Sequence, residues 1–142
     1  MGFIEQFTGN SFPVTNGKLR VECHDCGQAI GQGNVFDVSQ YLTRIISYNP
    51  EDKEVVVQPG VIQDDLNDYV KSEGLRFAPD TSTSNRAMIG GMIGNNSCGS
   101  YSIYYGSTRQ HVKSVETILA DGSLASFGDL TASQLAEKLE LQ

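Results

Sequence analysis

The run from Pro79 to Gly106, PDTSTSNRAMIGGMIGNNSCGSYSIYYG, constrains this chain more than any other stretch. It carries Gly90, Gly91, Gly94, Gly99 and Gly106, fills the spaces between with Ser82, Ser84, Ser97 and Ser100, and is nearly free of charge. Clustered glycine costs backbone entropy, so it is kept where φ must be positive or where something must approach bare backbone. No single apolar stripe runs through the segment, which reads as a loop, one short helical turn and a second loop. Unshielded amides in such an arrangement suit anions, phosphate oxygens above all, at helix starts and in backbone nests. The competing reading is a tight crossover whose glycines merely relieve steric conflict, and the run by itself leaves both open.

Charge narrows the partners. The formal net charge is −7, which argues against nucleic acid or an anionic membrane surface, because both need a basic footprint. An anionic ligand would have to be held by backbone donors and by one or two arginines, and Arg86 and Arg109 flank the glycine stretch. With 39% hydrophobic and 19% charged residues, the 142-residue chain has the make-up of one soluble domain. The start lacks the basic residues and long apolar run of a secretory leader, and no stretch reaches the length of a membrane span. The three cysteines are an odd number, unlike a secreted disulfide framework, so a cytoplasmic location is expected.

The elements follow from local pattern. Asn16-Gly17, between Phe12–Thr15 and Lys18–Val21, carries a hairpin signal, with Pro13 putting the first strand at an edge. Cys23-His24-Asp25-Cys26 contains a Cys-x-x-Cys pair, but a second pair for a zinc site is missing, so no metal is assigned. Asn34–Ser39 reads as a short strand followed by a turn. Arg44–Tyr48 and Glu54–Gln58 are β-rich and joined by Asn49-Pro50-Glu51-Asp52-Lys53, which predicts an antiparallel hairpin.

Pro59-Gly60 then opens a helix with Ile62, Leu66, Tyr69 and Val70 on one face and Asp64, Asp65 and Asp68 on the other, stopping at Gly74. Val112–Ala120 alternates, with Asp121-Gly122 as a two-residue hairpin turn and Leu124–Phe127 returning. A last helix starts at a Thr131-x-x-Gln134 capping box, with Leu130 able to staple to Leu135. The predicted class is α+β, a mostly antiparallel sheet with helices packed on it.

The order of motifs resembles the FAD-binding domain of the vanillyl-alcohol oxidase and p-cresol methylhydroxylase family. Within that family it is most similar to FAD-linked oxidases and dehydrogenases of 2-hydroxy acids, of the glycolate oxidase subunit and D-lactate dehydrogenase type. The marks are VQPGV at 57–61, PDTSTSN at 79–85, IGGMIGNNSCGS at 89–100, YGSTRQHV at 105–112 and LADGS at 119–123. The resemblance runs from about Gly27 to Phe127 and implies the second FAD-binding subdomain of the family.

It also implies site residues. Pro79, Asp80 and Thr83 would line the FAD site, and Ile89, Gly90 and Gly91 would bring amides to the diphosphate. Asn96, Ser97, Cys98 and Gly99 would run against the cofactor. The implied reaction is hydride transfer from a 2-hydroxy acid to flavin, with no catalytic base named in this chain. Cys98 itself suits a tight turn as a small buried hydrophobe better than a redox role.

Departures from the family pattern are Cys23–Cys26 in place of an Arg-Gly-Gly-Gly-Thr-Ser-like phosphate loop, and Gln110 where aspartate is common. The expected organisation is an atypical segment at 1–26 and a partial FAD-binding domain at 27–142. The first βαβ subdomain and the substrate-binding cap are expected to be absent. FAD, a small 2-hydroxy-acid substrate, and a second copy or partner subunit are the expected partners. The alternative is a truncated, cofactor-less remnant acting as an interaction module, and a zinc module on Cys23 and Cys26 ranks last.

Overall fold

In the computed structural model, residues 38–119 and 121–140 are described, with the backbone of three short strands before them. Those strands are β1 (Phe3–Ile4), β2 (Leu19–Val21) and β3 (Asn34–Phe36). The Asn16-Gly17 turn and the Cys23–Cys26 segment lie outside the described residues.

The expected central hairpin forms from β4 (Ile45–Asn49) and β5 (Glu54–Val57), paired antiparallel with a register shift between Ile45 and Ser47. Its turn is built by Asn49, whose Oδ1 accepts the Glu51 amide at 3.0 Å while its Nδ2 donates to Asp52 at 2.7 Å. This is the local side-chain chemistry that makes asparagine a turn residue. Alternate residues of β5 turn Val55 and Val57 into the core, and β1 pairs with the other edge of β5 in parallel.

After Pro59-Gly60 the chain enters α1 (Gln63–Val70), as its sequence pattern requires. Leu66 and Val70 are fully buried, whereas Tyr69 is half exposed and the third buried position of the face belongs to Gln63. A 3-10 turn over Lys71–Glu73 ends at Gly74, which takes the left-handed conformation at φ 68°.

The glycine stretch holds more helix than one turn, α2 (Ile89–Asn95) and α3 (Ser102–Tyr105), and a 3-10 turn at Thr108–His111 follows it. Glycine-rich sequence has poor intrinsic helix propensity. Here α2 is held instead by burial of Ile89 and Met92 in a core with Val55, Val57, Val61, Leu66, Val70, Phe77 and Ala87.

Strands β6 (Ser114–Ile118) and β7 (Leu124–Gly128) form the second antiparallel pair, with Ile118 opposite Leu124. Asp121-Gly122 thus sits within a five-residue connection, closed by Leu119 N–H donating to Ser123 O at 2.8 Å. The last helix, α4 (Ala132–Glu140), has its capping box: Thr131 N–H donates to Gln134 Oε1, and Gln134 N–H to Thr131 Oγ1.

The α+β class is as the sequence indicates. Among the described residues its strands are divided into three small sheets, in the orders β1-β5-β4, β2-β3 and β6-β7, of which the first and last contain the antiparallel pairs.

Lys113, at the start of β6, pairs with Glu54 at the start of β5 and ties the two antiparallel units together. The Glu54 hydrogen bond, reinforced by the charges of Glu54, Asp52 and Asp129, raises the Lys113 ammonium above its usual value of 10.5. A raised folded-state value means that the stabilisation is complete below 10.5 and is lost as pH rises through the higher folded value. Urea midpoints of the native chain and Lys113→Met are expected to differ at neutral pH and to converge in that alkaline window.

Candidate functional site

The starts of α1 and α2 face each other. Ile62 and Met88 form an antiparallel bridge, flanked by Gln63 N–H donating to Ala87 O and Ile89 N–H donating to Val61 O, both at 2.9 Å. Asp64 N–H reaches Ser84 O at 3.2 Å, and Gly90 N–H reaches Pro59 O at 2.9 Å. A helix start leaves its first amides without intrahelical partners. In this protein each helix lends carbonyls from its approach segment to the first amides of the other.

Gly90 is needed for that closeness, since a Cβ there would stand 2.6 Å from the Pro59 Cβ. Among the three amides expected to face an anion, those of Ile89 and Gly90 are therefore engaged within the chain. The Gly91 amide makes no hydrogen bond among the described residues.

Around this crossing lie two loops. The first, Pro79–Asn85, folds on itself through Ser84 N–H to Thr81 O at 3.2 Å, while Arg86 and Ala87 N–H both reach Thr83 O at 2.8 Å. The second follows α2, which ends with Asn96 in the left-handed region at φ 49°. Ser97 N–H returns to Met92 O at 2.8 Å, closing the last turn.

Thr108, fully buried, pins this second loop by donating both its N–H (3.0 Å) and its hydroxyl (2.7 Å) to Ser97 O. Arg109 N–H adds a bond to Asn96 Oδ1 at 3.0 Å. Gln110, where aspartate is common in the family pattern, accepts the Ser107 N–H at 2.6 Å and caps the 3-10 turn.

The two loops touch at Gly99 and Asp80. A Cβ at Gly99 would overlap the Asp80 carbonyl oxygen, so only glycine permits this approach. The loop carrying Pro79, Asp80 and Thr83 is thereby brought against the loop carrying Asn96, Ser97, Cys98 and Gly99 at the Asp80–Gly99 contact. Asp80 pairs loosely with Arg76 at 3.7 Å, a partly exposed contact of small energetic weight. Cys98 is a free and exposed thiol rather than the buried packing residue its setting suggested.

The Thr83 Oγ1 and Ser97 Oγ atoms are buried and have no hydrogen-bond partner among the described residues. Buried hydroxyls are ordinarily satisfied, because leaving one unpaired is costly. These orphaned hydroxyls, on two loops in backbone contact, suit a polar cofactor rich in acceptors. FAD fits that requirement, with Arg86 and Arg109 exposed nearby as cations.

Gln63 and Thr108 were missed by motif reasoning. The signal for Gln63 was present: it occupies the stripe position three before Leu66 and seven before Val70, where an apolar residue is the norm.

The family described as FAD binding domain matches residues 23–128, and the chain belongs to it. The chain is 46% identical over 113 residues to D-2-hydroxyglutarate dehydrogenase of Escherichia coli, covering 80% of this chain and 11% of that protein. It is 36% identical over 116 residues to the mitochondrial D-lactate dehydrogenase [cytochrome] of Kluyveromyces lactis, covering 80% of this chain and 20% of the relative. Against glycolate oxidase subunit GlcD of Bacillus subtilis the identity is 34% over 105 residues, 74% of this chain and 22% of the relative. The chain thus spans only a small part of the length of these relatives. FAD is the cofactor of the family.

The Gly99 contact gives a direct test. Gly99→Ala must push the two loops apart, and it is expected to weaken FAD uptake sharply in a fluorescence titration while the far-ultraviolet circular dichroism is kept.

Proposed function

We propose that this member of the FAD-binding domain family is the cofactor-holding segment of an oxidoreductase acting on a 2-hydroxy acid. The observation that carries the reading is the juxtaposition of Pro79–Asn85 with Asn96–Gly99, two loops bearing orphaned buried hydroxyls. The names of the relatives, dehydrogenases of D-2-hydroxyglutarate and D-lactate and a glycolate oxidase subunit, support the substrate class.

FAD, when bound, supplies an acceptor for the hydride that leaves the α-carbon of the substrate. The chain's own part is to bind and orient. Thr83 and Ser97 offer hydroxyls, the Gly91 and Gly99 region offers bare backbone, and Arg86 and Arg109 offset the negative charge of an otherwise acidic protein. Thr108 keeps the Ser97 loop from moving, so the hydroxyl is held in place before the ligand arrives.

Recognition of the hydroxy acid and removal of its hydroxyl proton are assigned to polypeptide beyond this segment. A cytoplasmic setting accords with the odd cysteine count. No helix among the described residues is long and apolar enough to cross a membrane. Assembly with a second copy or another subunit accords with the exposed Leu124, Phe127, Leu135 and Leu139 on β7 and α4.

Titration of the purified chain with FAD, read by flavin fluorescence and calorimetry, is expected to show saturable, equimolar uptake. Grafting the matched segment into the Escherichia coli relative is expected to give a flavin-loaded chimera that reduces a dye with D-2-hydroxyglutarate. A chain and a chimera that both stay free of flavin would overturn the reading.

A further inference from the structure

Gln63 is a polar side chain in the wrong place for a solvent-facing helix. It is fully buried beside Leu66 and Val70, yet its amide is satisfied at both ends. Nε2 donates to the Pro79 carbonyl oxygen, and Oε1 accepts the Thr81 hydroxyl at 3.0 Å. Its backbone N–H takes the Ala87 carbonyl at 2.9 Å. One residue therefore grips the segment 79–87 at its beginning, near its middle and at its end. Inside that span sit Asp80, whose carbonyl meets Gly99, and Thr83, whose hydroxyl is orphaned.

We propose that Gln63 is a positioning residue for FAD: its side-chain amide fixes the height of the Pro79–Thr83 loop so that Thr83 and the Asp80–Gly99 contact are presented together. This rests on the FAD reading above and names a determinant of affinity that lies in a helix rather than in either loop. Both ends of the amide are required. A leucine of similar size would leave the Pro79 carbonyl and the Thr81 hydroxyl unpaired in the core.

Glutamate keeps the shape but replaces the donor with an acceptor. Its ionised form sets a buried carboxylate against the Pro79 carbonyl, and burial favours the protonated form, which can donate again. The Gln63→Glu chain should therefore regain affinity as pH falls through the raised value of that carboxyl, whereas Gln63→Leu should not.

The test titrates the full chain, Gln63→Leu, Gln63→Glu and the core control Leu66→Ala with FAD, below the melting temperature of each. Amide hydrogen exchange is recorded in parallel. Gln63→Leu is expected to bind on the order of tenfold more weakly, the size of one buried hydrogen bond left unmade. Its loss of exchange protection should be confined to residues 79–87. Gln63→Glu should recover toward the parent at low pH. Leu66→Ala, which removes core packing but no side-chain hydrogen bond to either loop, should bind as the parent does.

Parent-like binding by Gln63→Leu, or equal weakening by Leu66→Ala, would overturn the proposal and leave Gln63 a stability residue. Should the parent itself take up no FAD, the functional reading fails separately. Exchange then decides the Gln63 claim: protection lost only at 79–87 supports it, and loss spread through the Val55–Met92 core overturns it.

Discussion

The structure depends on a mutual exchange of backbone hydrogen bonds between two helix starts. Val61 and Pro59, leading into α1, supply carbonyls to Ile89 and Gly90, while Ala87 and Ser84, before α2, supply carbonyls to Gln63 and Asp64. Neither helix carries a side-chain N-cap, so these carbonyls do the capping. The cost of leaving buried donors unpaired makes the crossing an all-or-none arrangement. It brings β5, α1 and α2 around one core, and it sets where both flanking loops emerge.

That arrangement divides the glycine stretch into parts with different work. Gly90 serves the crossing and Gly99 serves the contact between loops, both through the absence of a Cβ. In the proposed reading, what is left for a ligand is the rim: the orphaned hydroxyls of Thr83 and Ser97, the Gly91 amide, and the exposed guanidinium groups. An acidic protein can hold an anionic cofactor in this way, because fixed dipoles and hydroxyls supply the favourable field without a basic surface. The buried polar residues Gln63 and Thr108 stand behind the rim, each bonded to the backbone of one loop.

Much of this was legible in the chain itself. The β4–β5 hairpin announces itself through Asn49-Pro50-Glu51-Asp52-Lys53, and α4 through Thr131 and Gln134, because turns and caps are local chemistry. The loops that meet at Asp80 and Gly99 were both singled out by motif. The division of strands into three sheets was not legible, since pairing is decided by partners far along the chain. Nor was the engagement of the Ile89 and Gly90 amides, whose acceptors lie about thirty residues earlier, because backbone partners that distant leave no local pattern. The helix α2 runs longer than the one short turn expected for a related reason: its propensity is poor, and tertiary burial of Ile89 and Met92 overrides it.

The facing helix starts are closed by the protein's own carbonyls rather than held open for a ligand. Residue-resolved amide hydrogen exchange of Gln63, Asp64, Ile89 and Gly90 tests this closure most directly, with the chain free and then saturated with FAD. Slow exchange at all four positions in the free chain, unchanged by FAD, is the expected result. Fast exchange at Ile89 and Gly90 in the free chain, slowed only when FAD is added, would show instead that those amides wait for the cofactor.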